Sequence, residues 1–225
     1  MTARPKNARR PRKESRIVAE RRNDLIQAAI TSIADVGYDA VTVASICDAA
    51  GFSRGLIGHY FKGKDDLLLE AVRYITQSIG AITRDVVESA GPDPLDRLHA
   101  AITASFAPPA FTPERAAVWV SFAARARWST ALTQIYREVW RGYRASLSRL
   151  IDRAADRHGV KLDAAQAAIT VSQLIEGLWV GYSADPTAIS RDRAEAACHA
   201  YIDGLFRPMA VEGRRRAPAE AARTA

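Results

Sequence analysis

Cysteine is scarce in this sequence, and its scarcity excludes several kinds of site. The 225 residues include two cysteines, Cys47 and Cys198, which lie far apart and form no Cys-x-x-Cys pair. They cannot build a disulfide framework, and they favour a reducing compartment. A structural zinc site needs a closer set of Cys and His ligands, and no phosphate-binding loop or pair of catalytic carboxylates stands out. The sequence therefore predicts no metal or other cofactor.

Long apolar segments are also missing. No run of 18 apolar residues occurs, as a membrane-spanning helix would need. The first 16 residues carry charges throughout and lack the apolar centre of a secretory signal. These absences predict a cytoplasmic protein with no membrane partner.

The alternating pattern of β-strands is absent too, and apolar residues recur at helical spacing, as at Ile26, Ile30 and Ile33. Glycine and proline separate nine predicted helices, with N-cap signals at Thr42, Ser53 and Asp93-Pro94. The predicted helices cover approximately 20–36, 43–50, 54–60, 65–88, 94–106, 113–126, 130–156, 163–184 and 190–206.

The net charge of +7 is concentrated at the two ends of the chain. Residues 1–22 hold nine Lys or Arg and two Glu, and residues 207–225 hold five Arg and two Glu, whereas the body between them is slightly acidic. A basic arm on such a body indicates binding to nucleic acid or to an anionic membrane; a solubilising tail is the alternative. The membrane role lacks an aromatic-rich amphipathic anchor beside the arm.

The most informative stretch is 42–64, TVASICDAAGFSRGLIGHYFKGK. Two short amphipathic helices joined by a tight glycine turn are typical of a helix-turn-helix, whose second helix enters the DNA major groove. The same stretch contains Gly-x-Ser-x-Gly at 51–55, as in the nucleophile elbow of hydrolases. That elbow needs a strand before it, and here a predicted helix precedes it, so the hydrolase interpretation is disfavoured.

The motif resembles the DNA-binding domain of the TetR family of bacterial transcription regulators over roughly 20–66. Gly58 departs from it, because the family usually has Tyr there. Three further segments, 55–61, 117–122 and 174–179, resemble the choline-responsive repressors of the betaine pathway, the BetI subgroup. The positions that match the family motif are Thr42, Ala50, Gly51, Ser53, Gly55, Phe61, Lys64 and Leu67.

The resemblance implies an all-α fold. A three-helix helix-turn-helix domain (20–66) is joined to a six-helix ligand-binding and dimerisation domain (67–206), between a flexible basic arm (1–19) and a disordered tail (207–225). It also implies a non-enzymatic repressor that controls choline uptake and glycine betaine synthesis and is released by a small ligand such as choline. The alternative is a TetR-type regulator of efflux or catabolism that responds to another aromatic or cationic compound.

Contacts with the DNA backbone are expected from three residues of the motif. Thr42 stands at a helix N-terminus, which attracts phosphate, and Tyr60 and Lys64 are placed to contact phosphates as well. Gly55 and Gly58 allow the second helix to approach the DNA closely.

Base contacts are expected from the start of the same helix. Arg54 can bind a guanine edge or a phosphate, Leu56 can meet a thymine methyl, and His59 can read a base or donate to phosphate. Ser53 is expected to cap the helix rather than read a base. Three arm residues are expected to follow the backbone or enter the minor groove: Arg9, Arg10 and Arg12.

Aromatic residues at helical spacing form the predicted effector site. Such stripes are typical of packed cores, but a cage of aromatic faces also binds quaternary ammonium by cation–π attraction. Glu176 would supply the counter-charge, or it is a surface or dimer-interface carboxylate, whereas Arg125 and Arg127 beside Trp128 leave an anionic ligand open. The resemblance implies choline or a related compound. The predicted ligand-binding residues are Trp119, Phe122, Tyr136, Trp140, Glu176, Trp179 and Tyr182.

The last two predicted helices carry apolar stripes. The resemblance implies that they pair with their copies in a second chain, giving a two-fold homodimer. Its two reading heads would lie roughly 34–36 Å apart on a palindrome-like double-stranded operator. The stripes comprise Val171, Leu174, Leu178, Ala194, Ala197, Tyr201 and Leu205.

Overall fold

The computed structural model describes residues 10–207, with side chains from residue 16 onward. Within this range the chain is helical and contains no strand, which confirms the predicted all-α class. A single 3-10 turn, Arg54–Leu56, precedes the third helix. The helices are α1 (Arg10–Val36), α2 (Val43–Ala50), α3 (Ile57–Tyr60), α4 (Lys64–Ser89), α5 (Pro94–Phe106), α6 (Pro113–Ala126), α7 (Thr130–His158), α8 (Ala164–Ala184) and α9 (Arg191–Phe206).

Local capping explains why most helix ends lie within two residues of the prediction. The Thr42 hydroxyl accepts the Ser45 N–H at 3.0 Å, and the Ser45 hydroxyl accepts the Thr42 N–H at 3.1 Å, which is a capping box at the start of α2. Gly51 ends α2 in the left-handed region, with φ +68°. Asp93 caps α5 by accepting the Leu95 N–H at 2.8 Å.

The first helix differs from the prediction, because α1 begins at Arg10 and not near residue 20. Residues 10–19, predicted as a flexible arm, are helical. Pro11 lies in the first turn, where the missing N–H costs nothing, and the Arg16–Glu20 pair at 2.8 Å supports the helix one turn apart. Arg9 and the tail from residue 208 lie outside the described residues, as do the side chains of Arg10 and Arg12.

Two hydrophobic cores hold the helices together. The N-terminal core joins α1, α2, α3 and the first half of α4, and includes the fully buried Leu25, Ile46 and Leu67. The second core joins α5 to α9 around residues such as Ile102 and Ile151. Each fully buried Leu or Ile contributes about 1.5–3 kcal/mol relative to exposure, so each core stabilises its own group of helices.

Helix α6 connects the two cores. Val118 is buried in the N-terminal core, whereas its neighbour Trp119 is buried in the second. The Arg125 guanidinium pairs with Asp39 at 3.0 Å, so α6 is also tied to the loop before α2. A shift of α6 would therefore change its contacts with both cores.

The predicted dimer stripe is wrong at two positions. Val171 and Ala194 are 0% and 2% exposed and pack inside the second core, so neither is available to a partner chain. The helical spacing was correct, but spacing alone does not say which face meets the core of the same chain. Among the described helices, none combines the length and apolarity that crossing a bilayer requires.

Candidate DNA-binding surface and effector cavity

The turn between α2 and α3 is held by backbone hydrogen bonds. The Phe52 N–H donates to the Cys47 carbonyl at 3.0 Å, and Gly51 supplies the left-handed residue that reverses the chain. Ile57 and Phe61 are buried in the N-terminal core and anchor α3 to it. One side of the 3-10 turn and α3 is thereby left facing solvent.

Most of the predicted base-contacting residues lie on that solvent-facing side. Ser53, Arg54 and His59 are exposed, and Leu56 is half-buried without belonging to either core. The Ser53 hydroxyl makes no cap hydrogen bond, contrary to the prediction. The reason is the 3-10 geometry: the Leu56 N–H, the usual partner of a cap side chain, already donates to the Ser53 carbonyl at 3.0 Å.

The two glycines of this surface have no internal packing role. An added Cβ at Gly55 or Gly58 would meet nothing within 4 Å. The space above them is therefore open to an incoming ligand.

Two of the predicted phosphate-contacting residues lie together. The Lys64 ammonium donates to the Val41 carbonyl at 3.0 Å, directly before the exposed Thr42 at the N-terminus of α2. The positive end of the α2 dipole and the lysine charge therefore reinforce each other. The Tyr60 ring instead packs against the N-terminal core. Lys62, which was not among the predicted DNA-contacting residues, is exposed between α3 and α4. The Lys-Gly-Lys turn was its only signal in the sequence.

A cavity of about 790 Å³ lies between α4, α5, α7 and α8, with Trp119 of α6 at one end. Four of the seven predicted ligand-binding residues line it, and Phe122, Tyr136 and Tyr182 do not. The four lining residues are Trp119, Trp140, Glu176 and Trp179.

The three indoles form a compact aromatic group. The Trp119 ring centroid lies 5.7 Å from that of Trp140 and 6.2 Å from that of Trp179, with the rings nearly perpendicular. The Trp179 indole N–H donates to the Ser105 carbonyl at 2.9 Å. The Trp140 indole N–H is buried and has no acceptor among the residues that the structure describes.

The predicted residues outside the cavity support those inside it. The Tyr136 hydroxyl donates to the Glu176 carboxylate, 2.8 and 2.9 Å from its two oxygens, and the Gln173 amide donates to the same group at 2.9 Å. Phe122 is a core residue at 1% exposure, and Tyr182 packs on Phe111 with ring centroids 5.0 Å apart.

The phenols near the cavity stay neutral at ordinary pH. Burial, followed by the hydrogen bond to Glu176, raises the pKa of Tyr136 to about 12. Burial also raises the pKa of Tyr143 to about 12, and its hydroxyl lies 3.2 Å from that of Ser105. The Glu176 carboxylate is therefore held by a protonated donor.

Sequence reasoning missed the other end of the cavity. Tyr143 continues the helical spacing of Tyr136 and Trp140 but was not predicted to bind the ligand. Ser105 and the arginines that line the wall were missed, because no local pattern joins residues of three helices. The arginines are Arg84, Arg97, Arg149 and Arg153. A separate, more open groove contains Arg127 and Trp128, whereas Arg125 is paired with Asp39.

Comparison with known families matches both parts of the chain. Residues 25–71 match the family described as bacterial regulatory proteins of the tetR family, and residues 94–207 match the C-terminal domain of BetI-type transcriptional repressors. The two matches coincide with the helix-turn-helix and with the helices of the second core.

Similar proteins extend over most of the chain. The regulator BetI of Stenotrophomonas maltophilia is 30% identical over 85% of this chain and 95% of its own length, and BetI 1 of Chromohalobacter salexigens is 32% identical over 81% and 89%. The crystal structure of a transcriptional regulator from Pseudomonas aeruginosa has a TM-score of 0.74 at 30% identity, covering 84% of this chain and 91% of the other. A regulator from Saccharomonospora viridis, solved in complex with choline, has a TM-score of 0.74 at 23% identity, covering 82% and 96%.

Proposed function

Because the chain belongs to the TetR family of bacterial regulators and has a BetI-type C-terminal domain, we propose that it represses choline uptake and glycine betaine synthesis genes until choline, or a related quaternary ammonium, releases it from DNA. The family consists of transcriptional regulators, so the chain is a regulator and not an enzyme. The single observation that supports choline as the ligand is the group of three indoles that lines the cavity beside the half-buried carboxylate of Glu176.

This end of the cavity has the chemistry that a quaternary ammonium requires. Each good cation–π contact is worth about 0.5–2 kcal/mol, and Trp119 and Trp179 line the cavity together with Trp140, over whose ring the Arg144 guanidinium lies 5.2 Å from the centroid. Glu176 faces the same space and supplies the negative charge, while Tyr136 and Gln173 hold its oxygens. The names of the relatives and the choline complex of the Saccharomonospora viridis regulator agree with this ligand class.

The operator contacts follow from the exposed face formed by the 3-10 turn and α3. Arg54, Leu56 and His59 would read bases, with Gly55 and Gly58 allowing close approach. Thr42, Lys62 and Lys64 would hold phosphates on either side of that helix. Thr42 caps the start of α2, Lys62 lies between α3 and α4, and Lys64 is the first residue of α4.

The dimer would form through α8 and α9, as is typical of the family. On α8 the exposed apolar side chains are Ile169 and Val180, at 42% and 44% exposure. On α9 the exposed residues include Ala197, Ala200 and Gly204, whose small size permits close helix packing. These residues replace Val171 and Ala194 in the predicted interface.

Release from DNA requires a ligand that binds one dimer conformation better than the other. About a hundredfold change in operator affinity corresponds to about 2.7 kcal/mol of differential binding. Helix α6 offers a direct route, because Trp119 lines the cavity while Val118 lies in the N-terminal core. Helix α4 offers a second route, since it lines the cavity with Thr76 and begins at Lys64.

Isothermal titration with choline tests the ligand. We expect Glu176→Gln to weaken choline binding about tenfold, because the charge is lost while the shape is kept. Asp152→Asn is the matched control, since Asp152 is exposed on α7 and does not line the cavity. Equal choline affinity in the three proteins would refute the placement of the cation beside Glu176.

The size of the cavity favours the second candidate, a regulator that responds to another aromatic or cationic compound. A volume of about 790 Å³ lies in the range of pockets that hold drug-sized molecules. This candidate would be favoured if a titration with choline gave no heat of binding while a larger aromatic cation did bind.

A further inference from the structure

The two ends of the cavity are lined by charged side chains of opposite sign. Its indole end carries the carboxylates Glu176 and Glu138. Its opposite end is built where α4 ends, α5 begins and the second half of α7 passes, and it carries four arginines and one carboxylate, Glu88. The four arginines are Arg84, Arg97, Arg149 and Arg153.

None of the described carboxylates neutralises these four arginines. Among the residues that the structure describes, none of the four has a carboxylate within ion-pair distance. Arg97 donates to the Gly91 carbonyl at 2.6 Å, and Arg149 donates to the Ser146 hydroxyl at 3.0 Å. Both contacts orient a guanidinium without cancelling its charge, so further N–H donors remain for an anion.

The wall between the two ends is mostly apolar. Ile79 and Val87 line it from α4, Ala101 lines it from α5, and Leu147 and Leu150 line it from α7. Trp140 and Arg149 are nine residues apart on α7, which is a rise of about 13 Å along the helix axis and about half a turn around it, and Arg153 lies about 20 Å along the axis from Trp140. Choline is too short to reach from the indoles to the arginines.

We infer that the arginine end is an anion subsite, and that the full effector is an elongated zwitterion with a quaternary ammonium among the indoles and a carboxylate or phosphate at Arg149 and Arg153. Its apolar chain lies along Ile79, Val87 and Leu150. The inference rests on the proposed function, because it assigns the ammonium to the Glu176 end.

The test is a titration series of defined compounds. The probes are choline, glycine betaine, ω-trimethylammonio carboxylates of increasing chain length, and alkyltrimethylammonium ions of the same lengths without the carboxylate. We expect the affinity of the zwitterions to rise up to the chain whose extended length matches the roughly 13–20 Å between the two ends. At that length the zwitterion should bind at least about tenfold more tightly than the cation lacking the carboxylate.

A pair of double variants separates the subsite from general charge effects. Arg149→Gln with Arg153→Gln removes two exposed arginines of the cavity wall and should abolish the advantage of the carboxylate. Arg137→Gln with Arg141→Gln removes two arginines of α7 that line the other groove and should preserve it. Circular dichroism of both variants checks that the fold is retained.

The outcomes distinguish the two claims. Choline binding with no gain from a distant carboxylate, or a gain that survives in the Arg149/Arg153 variant, would overturn the anion subsite and leave the proposed function standing. Long zwitterions that bind while choline does not would support the subsite and remove choline as the effector. Fatty carboxylates without the ammonium that bind as tightly as the zwitterions would overturn the assignment of a zwitterion.

Discussion

Gly58 lies within α3 without any internal contact that would explain a glycine. An added Cβ there meets nothing within 4 Å, and glycine in a helix costs roughly 0.5–1 kcal/mol relative to alanine. The chain tolerates this cost at an exposed position beside Arg54 and His59. We propose that DNA binding accounts for the glycine, since a helix surface without a side chain can approach the groove more closely.

The substitution Gly58→Ala tests this explanation. We expect the free energy of unfolding to rise by about 0.5–1 kcal/mol, measured by urea denaturation, while operator affinity falls. Gly142→Ala is the control, because Gly142 is helical, has equally open space and lies far along the chain on α7. The Gly142→Ala variant should show a similar rise in the free energy of unfolding and bind the operator normally. If Gly58→Ala bound the operator as well as the parent, Gly58 would have no part in groove contact.

The buried phenol of Tyr143 gives a prediction for alkaline pH. Its pKa is raised to about 12, so the folded state keeps the proton while an unfolded tyrosine loses it near its ordinary value of about 10. The stabilising contribution is therefore complete below pH 10 and decreases as the pH rises from 10 to 12.

Urea denaturation at several pH values measures this effect. The parent should lose more stability between pH 10 and 12 than Tyr143→Phe, which has no phenol to titrate. Tyr74→Phe controls for the loss of a tyrosine hydroxyl as such, because the Tyr74 side chain is 39% exposed. Parallel curves for the parent and Tyr143→Phe would contradict the raised pKa.

At the scale of elements, capping chemistry made the helix bounds predictable. Thr42, Asp93 and Gly51 act locally, through neighbours within a few residues, so their signals are present in the sequence. The start of α1 was missed because a run of basic residues was interpreted as a flexible arm, although Lys, Arg, Glu and Ala also favour helix.

The effector site was only partly predictable for a related reason. Helical spacing placed Tyr136 and Glu176 on stripes, but not their contact, which joins α7 to α8 across 40 positions. The arginine end of the cavity joins α4, α5 and α7. Such contacts depend on how the helices pack, and no local motif reports that.

Helix α6 provides the prediction for coupling. The Arg125–Asp39 pair ties the end of α6 to the loop before the helix-turn-helix. In Asp39→Asn we expect choline and the operator each to bind with nearly normal affinity. The factor by which choline weakens operator binding should fall about two- to fivefold, because an exposed ion pair contributes no more than about 1 kcal/mol.

Anisotropy of a labelled operator, with and without choline, measures that factor. Arg157→Gln removes another exposed pair, with Asp93, at the far end of α7, and should leave the factor unchanged. The same loss in both variants would mean that α6 has no special role in coupling.

For the whole molecule, binding to a palindrome-like operator requires two copies of the chain. The face formed by Ile169 and Val180 on α8 and the small residues of α9 would be buried in the dimer. The double substitution Ile169→Glu with Val180→Glu places charges in that face and should yield monomers with intact helices, by light scattering and circular dichroism. Val86→Glu, at a position 38% exposed on α4, should remain dimeric. A dimeric double variant would locate the interface elsewhere.

Operator binding by such a monomer should be weak, because one reading head makes half of the phosphate and base contacts. The combined basic charge near α3 also predicts a steep dependence of affinity on salt. Operator affinity and its dependence on salt are therefore properties of the whole dimer and not of α3 in one chain.

The most direct measurement is fluorescence anisotropy of a labelled duplex from the region upstream of the gene, at two salt concentrations, with and without choline. We predict tight, salt-dependent binding that choline relieves and that the Arg54→Ala, Lys64→Ala double variant abolishes. Unchanged binding by that double variant, or only weak binding that does not depend on the DNA sequence, would contradict the claim that this chain is a ligand-controlled repressor reading its operator through α3.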